Sequence, residues 1–103
     1  MNVQKLMKEA QRAQKKMAEA QERLASLTVE GSAGGGLVRV TATGDGSITA
    51  VAIDPGAVDT EDLSLLEDLV TAAVADAQRR SRELQESEMG SAVGGLGGMP
   101  GLF

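Results

Sequence analysis

The stretch VEGSAGGGLVRVTATGDG, from Val29 to Gly46, contains six of the 13 glycines of the chain and decides how its middle third folds. Its GSAGGG run, residues 31–36, follows a helical sequence and leads into an alternating apolar pattern. A phosphate-binding loop instead connects a strand to a helix, and it carries a Gly-Lys-Ser/Thr ending or a Gly-x-Gly-x-x-Gly pattern. Neither is present, so we interpret these glycines as turn residues.

Three short strands are predicted around these turns. LVRVTAT, residues 37–43, alternates between apolar and polar side chains, which is typical of a half-buried strand. GDGS then supplies the glycines of a tight hairpin turn. ITAVAID, residues 48–54, is apolar on both faces, which favours a strand that is covered on both sides. With TVEGSA, residues 28–33, as a third strand, the sequence predicts a small antiparallel sheet.

Residues 1–27 are predicted to form one long helix. Apolar residues recur there at alternating steps of three and four, which is the heptad spacing of a helix-packing seam. The seam consists of Val3, Leu6, Ala10, Ala13, Met17, Ala20, Leu24 and Leu27. A helix of this length measures about 40 Å. A small domain cannot cover it, so we expect part of it to project or to pair with a partner helix.

A second helix is predicted from residue 59 to about residue 88. Acidic residues crowd its first turns and arginines lie towards its other end, as the helix dipole favours. Asp59, Thr60 and Asp62 are alternative capping residues. We therefore expect one domain over residues 1–89. The uncharged, glycine-rich residues 90–103 are interpreted as a flexible tail, with a docking role for the apolar end at Met99, Leu102 and Phe103 as the alternative.

Composition favours a homodimer. The 103 residues contain no Trp, no Tyr and a single Phe, so the core must be built from small aliphatic side chains. A second copy of the chain commonly completes such a core. We expect the interface to combine the last strand with the apolar stripe of the second helix. Its candidate residues are Ile48, Val51, Ile53, Leu66, Leu69, Val70 and Ala73.

The absence of cysteine and histidine argues against catalysis. It removes disulfides, thiolate chemistry and the commonest metal ligands, and it leaves the serines without the usual general base. We therefore expect no enzymatic activity, no cofactor and no metal. The basic N-terminus is interrupted by charges, unlike a signal peptide, and no apolar run reaches the length of a membrane span. We expect a soluble, cytoplasmic protein.

The net charge of −5 conceals an uneven distribution. Residues 1–16 carry five basic residues against the single Glu9, a net charge of +4, so the remaining 87 residues must sum to −9. At about 100° per residue, the side chains of Lys5, Arg12, Lys16 and Arg23 share one face of the first helix, about 100° from the seam. This face is either an ordinary solvated surface or an electrostatic footprint for phosphates.

The arrangement as a whole resembles a known family. A basic helix is followed by VEGSAGGGLVRVTATGDG, IDP and LLEDLVTAAVADA, and a glycine-rich end closes in PGLF. This order and spacing resembles the YbaB/EbfC family of bacterial nucleoid-associated DNA-binding proteins over essentially the whole chain. One departure is Ala75, where the family often has Asn.

The resemblance implies a fold and a function. The fold is an α+β arrangement in which a long helix, a three-stranded antiparallel sheet and a second long helix form an intertwined, tweezer-like homodimer. The function is nucleoid-associated binding of double-stranded DNA with little sequence preference, through the projecting arms. The DNA-binding candidates are Lys5, Lys8, Arg12, Lys15, Lys16 and Arg23 of the first helix, with Arg79, Arg80 and Arg82 of the second.

Two other classes of function compete with DNA binding. The arms can grip another protein, such as a recombination or replication factor, with DNA affinity weak or incidental; the small-residue seam and the overall acidity favour this adaptor function. A membrane-surface helix fits poorly, because the seam lacks the large apolar face that such helices bury.

Overall fold

The computed structural model describes residues 2–93 and has the predicted α+β architecture. The elements in order are α1 (Val3–Ser26), β1 (Thr28–Ala33), β2 (Val38–Thr43), β3 (Ile48–Ile53), a short 3-10 helix (Pro55–Ala57) and α2 (Leu63–Val93). The strands form one antiparallel sheet in the order β1-β2-β3. The fold class predicted from the sequence is therefore confirmed.

The glycines of the middle segment turn the chain. Gly34, Gly35 and Gly36 connect β1 to β2 with φ angles of 65°, 68° and 95°, and Gly46 closes the next hairpin at 96°. These angles lie in the left-handed region that glycine adopts without steric cost. Their interpretation as turn residues is confirmed.

The core lies between α2 and the first two strands. Val38, Val40 and Ala42 of β2 are fully buried, and they pack against Ala73 and Ala77 of α2. Alternate residues of a strand point to the same face, which explains why the apolar half of LVRVTAT is buried here. The buried core consists of Ala, Val and Leu side chains, as expected for a chain almost without aromatic residues.

Gly31 is the point of closest approach between β1 and α2. A Cβ atom placed on Gly31 would lie 2.2 Å from the backbone nitrogen of Ala77 and 2.6 Å from the carbonyl oxygen of Ala73. The helix therefore rests directly on the strand backbone at this position. Only glycine allows this separation, which sets the height of α2 above the sheet.

The bounds of α2 differ from the prediction at both ends. The helix begins at Leu63, four residues later than predicted, because the side chain of Asp59 accepts a hydrogen bond from the Glu61 N–H at 2.9 Å and holds a turn instead. At the other end α2 continues through Gly90 to Val93, so it passes the boundary predicted at residue 90. The tail prediction otherwise concerns residues 94–103, which lie outside the described residues.

The C-terminal part of α1 packs antiparallel to α2. Leu24 lines one pocket with Gln85 and Met89 of α2, and Arg23 pairs with Glu88. Within α1 only Ala20 and Leu24 are buried. In the N-terminal half of the predicted seam, Val3, Leu6 and Ala10 are exposed and Ala13 is partly buried, so this part of the helix projects from the single chain. We call residues 3–17 the arm.

β3 is an edge strand, and all six of its residues are exposed. The expectation that this strand is covered on both sides is not met within the single chain. The reason is that α2 lies over β1 and β2 and leaves the β3 part of the same sheet face uncovered.

Candidate nucleic-acid interface

The arm carries a set of exposed cations that form no ion pair with any of residues 2–93. These are Lys5, Lys8, Arg12, Lys15 and Lys16. All five were predicted from the sequence as DNA-binding residues. Their side chains project into solvent from a helix that has no glycine or proline to bend it. We call Lys5, Arg12 and Lys16, which share one face, the ridge.

The regular geometry of α1 aligns the ridge side chains along one face. Asn2 caps α1 by accepting a hydrogen bond from the Lys5 N–H through its side chain at 3.2 Å, which satisfies one of the free N–H groups of the first turn. From Lys5 to Lys16 the ridge then extends about 16 Å along the axis. A straight row of cations of this length matches several successive phosphates of a nucleic-acid backbone.

Arg23 has a different role from the ridge. Its Nε atom donates to Glu88 Oε2 at 3.0 Å, and this ion pair ties the end of α1 to α2. The guanidinium is half exposed, so it remains accessible from one side. The structure thus places Arg23 at the base of the arm, on the ridge face but with part of its charge compensated.

Arg79 and Arg80 are held by carboxylates of their own helix. Asp76 Oδ1 accepts from Arg79 Nη2 at 2.6 Å and Asp76 Oδ2 accepts from Arg80 Nε at 3.3 Å. Arg79 also pairs with Glu83 at 2.9 Å. These contacts raise the pKa of Arg79, mainly through its hydrogen bond to Asp76. Two of the DNA-binding candidates therefore have local partners.

Asp76 connects this cluster to the sheet. Its Oδ2 atom accepts a hydrogen bond from the backbone N–H of Ser32 at 3.0 Å, on the outer edge of β1. That bond, followed by the one from Arg79, lowers the pKa of Asp76 to about 2. Asp76 thereby satisfies an N–H group at the edge of the sheet. Without Asp76, this group would be free to pair with another strand. We call Asp76, Arg79, Arg80 and Ser32 the edge clamp.

The sequence indicates the local carboxylate partners of the arginines but not the distant ones. Asp76 lies three and four residues before Arg79 and Arg80, the spacing at which helical side chains meet. Its contact with Ser32 and the contact of Arg23 with Glu88 join residues 44 and 65 positions apart, so no local pattern predicts them. Arg82, the remaining candidate, is exposed on α2 and forms no ion pair within residues 2–93.

The predicted dimer residues divide into two groups. Ile48, Val51 and Ile53 of β3 are 42%, 47% and 42% exposed. Val51 and Ile53 are paired with Val40 and Val38, so they continue the apolar sheet face that α2 covers over the other strands. This apolar surface beside α2 is exposed in the single chain.

The α2 candidates contribute less surface. Leu66, Leu69 and Val70 are half-buried and pack against the core of the same chain. Ala73 is fully buried opposite Gly31, so it belongs to the core of this chain and has no surface to offer a partner. In the sequence, the apolar character and helical spacing of Ala73 fit a core residue of the same chain as well as a residue of a dimer interface.

Two further kinds of site are absent from residues 2–93. No group of acidic side chains there is arranged to hold a metal ion. Neither helix, over the same residues, is both long and apolar enough to cross a membrane.

These features define an α+β protein with an exposed, cationic helical arm. Comparison with known proteins agrees with this class. Residues 1–96 match the model of the YbaB/EbfC DNA-binding family. A nucleoid-associated protein of Saccharopolyspora erythraea is 50% identical, over 98% of this chain and 87% of its own length. One of Streptomyces avermitilis is also 50% identical, over 98% and 91%. The chain belongs to the YbaB/EbfC DNA-binding family, and the resemblance seen in the sequence is confirmed.

A solved structure supports the fold independently. An uncharacterized protein from Helicobacter pylori superposes with a TM-score of 0.74 over 84% of this chain and 91% of that chain. At 21% sequence identity this similarity speaks for the fold alone.

Proposed function

We propose that the protein is a nucleoid-associated, non-enzymatic protein that binds double-stranded DNA as a homodimer, through phosphate contacts and with little sequence preference. The observation that carries the proposal is the set of five exposed arm cations without an ionic partner among residues 2–93. In a protein of net charge −5, this concentration of free cations gives phosphates one place to bind.

Phosphate contacts are favoured over base readout. The ridge residues are Lys and Arg on one helical face, and no aromatic side chain is present before Phe103 to stack on exposed bases. Phosphate contacts position a protein on DNA but carry no direct sequence information. We therefore expect modest affinity that falls steeply as salt rises, because each neutralised phosphate adds about 0.9 to the slope.

A homodimer supplies the second arm. The exposed apolar face of β3, with Ile48, Val51 and Ile53, is the surface that a second copy would cover. The interface would lie on the sheet, away from the arm, so both ridges would stay free. Two arms then present ten such cations to a duplex, which offsets the repulsion from the acidic remainder of the chain.

The test compares two variants of equal net charge. K5Q/R12Q/K16Q removes the ridge and changes the net charge from −5 to −8. Q14E/Q21E/T60E gives the same net charge by adding acids at exposed positions that are not three or four residues from any arm cation. We expect the first variant to bind DNA much more weakly, with a salt slope that is smaller by about 1 for each phosphate it no longer neutralises. The second variant should retain the slope.

Fluorescence anisotropy with a labelled duplex at several salt concentrations measures both quantities. Circular dichroism establishes that both variants keep their helices. Equal weakening in the two variants would mean that net charge rather than the ridge controls binding. Absence of binding by the unmodified protein at low salt would favour the adaptor function, in which the arms hold a recombination or replication protein.

A further inference from the structure

The seam forms another face of the arm, which is apolar and exposed. Val3 is 63% exposed, Leu6 46% and Met17 37%, although these residues continue the same seam in which Ala20 and Leu24 are buried. Exposed contiguous apolar surface at heptad spacing is typical of a helix-docking site. The surface lies about 100° around the helix from the ridge.

The buried end of the seam shows what kind of helix fits it. There Leu24 lines one pocket with Gln85 and Met89 of α2, and Arg23, which precedes Leu24, pairs with Glu88 of α2. Seven residues earlier, Lys16 and Met17 repeat this arrangement of a cation next to a large apolar residue. A helix that continued the α1–α2 packing would therefore place an acidic side chain opposite Lys16 and an apolar one against Met17.

The shape of the exposed seam adds a further requirement. Ala10 and Ala13 lie between the larger Leu6 and Met17, so the middle of the seam is shallow. Large side chains of a partner helix fit over these two alanines. From Val3 to Met17 the seam is about 21 Å long, which corresponds to about four turns of a partner helix.

Sequence and charge argue against the C-terminal tail and the arm of a second copy as occupants. Glu88 is the last charged residue of the chain, and residues 90–103 contain six glycines and a proline, a composition unfavourable for a helix that pairs with Lys16. The arm of a second copy would bring two segments of net charge +4 together, which is electrostatically unfavourable.

We propose that the arm seam, Val3 to Met17, is a docking site for an acidic amphipathic helix of a partner protein. The docked helix places large apolar residues over Ala10 and Ala13 and a carboxylate opposite Lys16. The ridge residues Lys5 and Arg12 lie farther around the helix, so DNA and the partner helix bind to different faces of one arm and share only Lys16.

The test uses a synthetic probe, because the partner is unidentified. The probe is a labelled peptide of three heptads with leucine at a and d and glutamate at e and g, whose like charges keep it from pairing with itself. The control peptide carries lysine in place of glutamate. The full chain should bind the acidic peptide saturably, and it should not bind the lysine peptide.

Variants of the arm separate seam docking from general attraction. V3S/L6S/M17S alters only exposed side chains, and we expect it to weaken peptide binding by about tenfold or more while duplex DNA binding is retained. K16E should weaken peptide binding more than K8E, which changes the charge equally on the side of the helix away from the seam. Equal effects of K16E and K8E, or unchanged binding by the serine variant, would overturn the proposal.

A cysteine variant tests the competing occupant. The chain has no cysteine, so L6C introduces a single thiol. If the acidic peptide protects this thiol from alkylation, docking on the seam is supported. If L6C instead forms disulfide-linked dimers readily in the absence of peptide, the occupant is the arm of a second copy and the proposal is wrong. Loss of DNA binding by K5Q/R12Q, which keeps Lys16, with peptide binding retained would leave this inference intact.

Discussion

Replacing Gly31 with alanine should strongly destabilise the protein. The added Cβ would lie 2.2 Å from the Ala77 nitrogen and 2.6 Å from the Ala73 carbonyl oxygen, and both are backbone atoms that no rotamer change can move. To reach an ordinary contact near 3.4 Å, α2 must move away from β1 by about 1.2 Å. That displacement separates Ala73 and Ala77 from Val38 and Val40 and disturbs the whole core at once.

The expected loss of unfolding free energy in this variant follows from the known cost of overpacking a core. Extra methylenes in a well-packed core cost about 1–3 kcal/mol, occasionally more, and the rigid backbone on one side places this site at the upper end. Replacing a strand glycine by alanine recovers roughly 0.5–1 kcal/mol of chain entropy, which does not offset the clash. We expect the free energy of unfolding to fall by about 3 kcal/mol, a large part of the roughly 5–15 kcal/mol that stabilises typical domains.

Urea unfolding followed by circular dichroism at about 222 nm measures this change in a chain without tryptophan. Gly35 supplies the control, because its φ of 68° disfavours alanine but nothing lies within 4 Å of the added atom. G35A should therefore cost about 1–2 kcal/mol, from backbone conformation alone. A G31A variant as stable as the unmodified protein, or only as destabilised as G35A, would refute the close-contact argument.

Two other predictions concern the edge clamp and the dimer. The pKa of Asp76 is lowered to about 2 in the folded state, so the stability it contributes is present above the unfolded carboxyl pKa near 4 and is lost as pH falls from about 4 to about 2. D76N should lower the melting temperature at pH 7, and its difference from the unmodified protein should shrink across that range; an equal difference at pH 7 and pH 2 would contradict this assignment. V51D places a charge on the exposed apolar face of β3 and should convert a dimer into a 10.6 kDa monomer in sedimentation, whereas A50D, on the opposite face of the same strand, should not. A V51D variant that remains dimeric would locate the interface elsewhere.

Local patterns in the sequence were sufficient to predict the elements of the fold. Heptad spacing predicted the helices, alternation in LVRVTAT predicted β2, and the glycine runs predicted the turns with positive φ. The bounds of α2 were less well predicted. Asp59 has the chemistry of a helix cap but holds a separate turn, and Gly90 does not end the helix.

The candidate site was predictable only where it is local. The five arm cations lie within 12 residues on one helix, so their exposure follows from helical geometry. The partners of Arg23 and Asp76 lie in distant parts of the chain, and only the tertiary arrangement brings them together. The same limit applies to Ala73, because its burial depends on Gly31, which lies 42 positions earlier.

Eight of the ten basic residues of the chain fall into two groups, those that pair with carboxylates across the fold and those of the arm. Arg23, Arg79 and Arg80 pair with carboxylates that hold α2 to α1 and to β1, so they contribute mainly to the fold. The arm cations have no such partner within residues 2–93, and no basic residue lies between Arg39 and Arg79, a segment with eight acidic residues. The sheet end of the protein therefore repels phosphates while the arm attracts them, since charges of opposite sign sit at opposite ends. A duplex that binds would be held by the arms and kept away from the sheet, which limits the number of phosphate contacts and keeps binding reversible in salt.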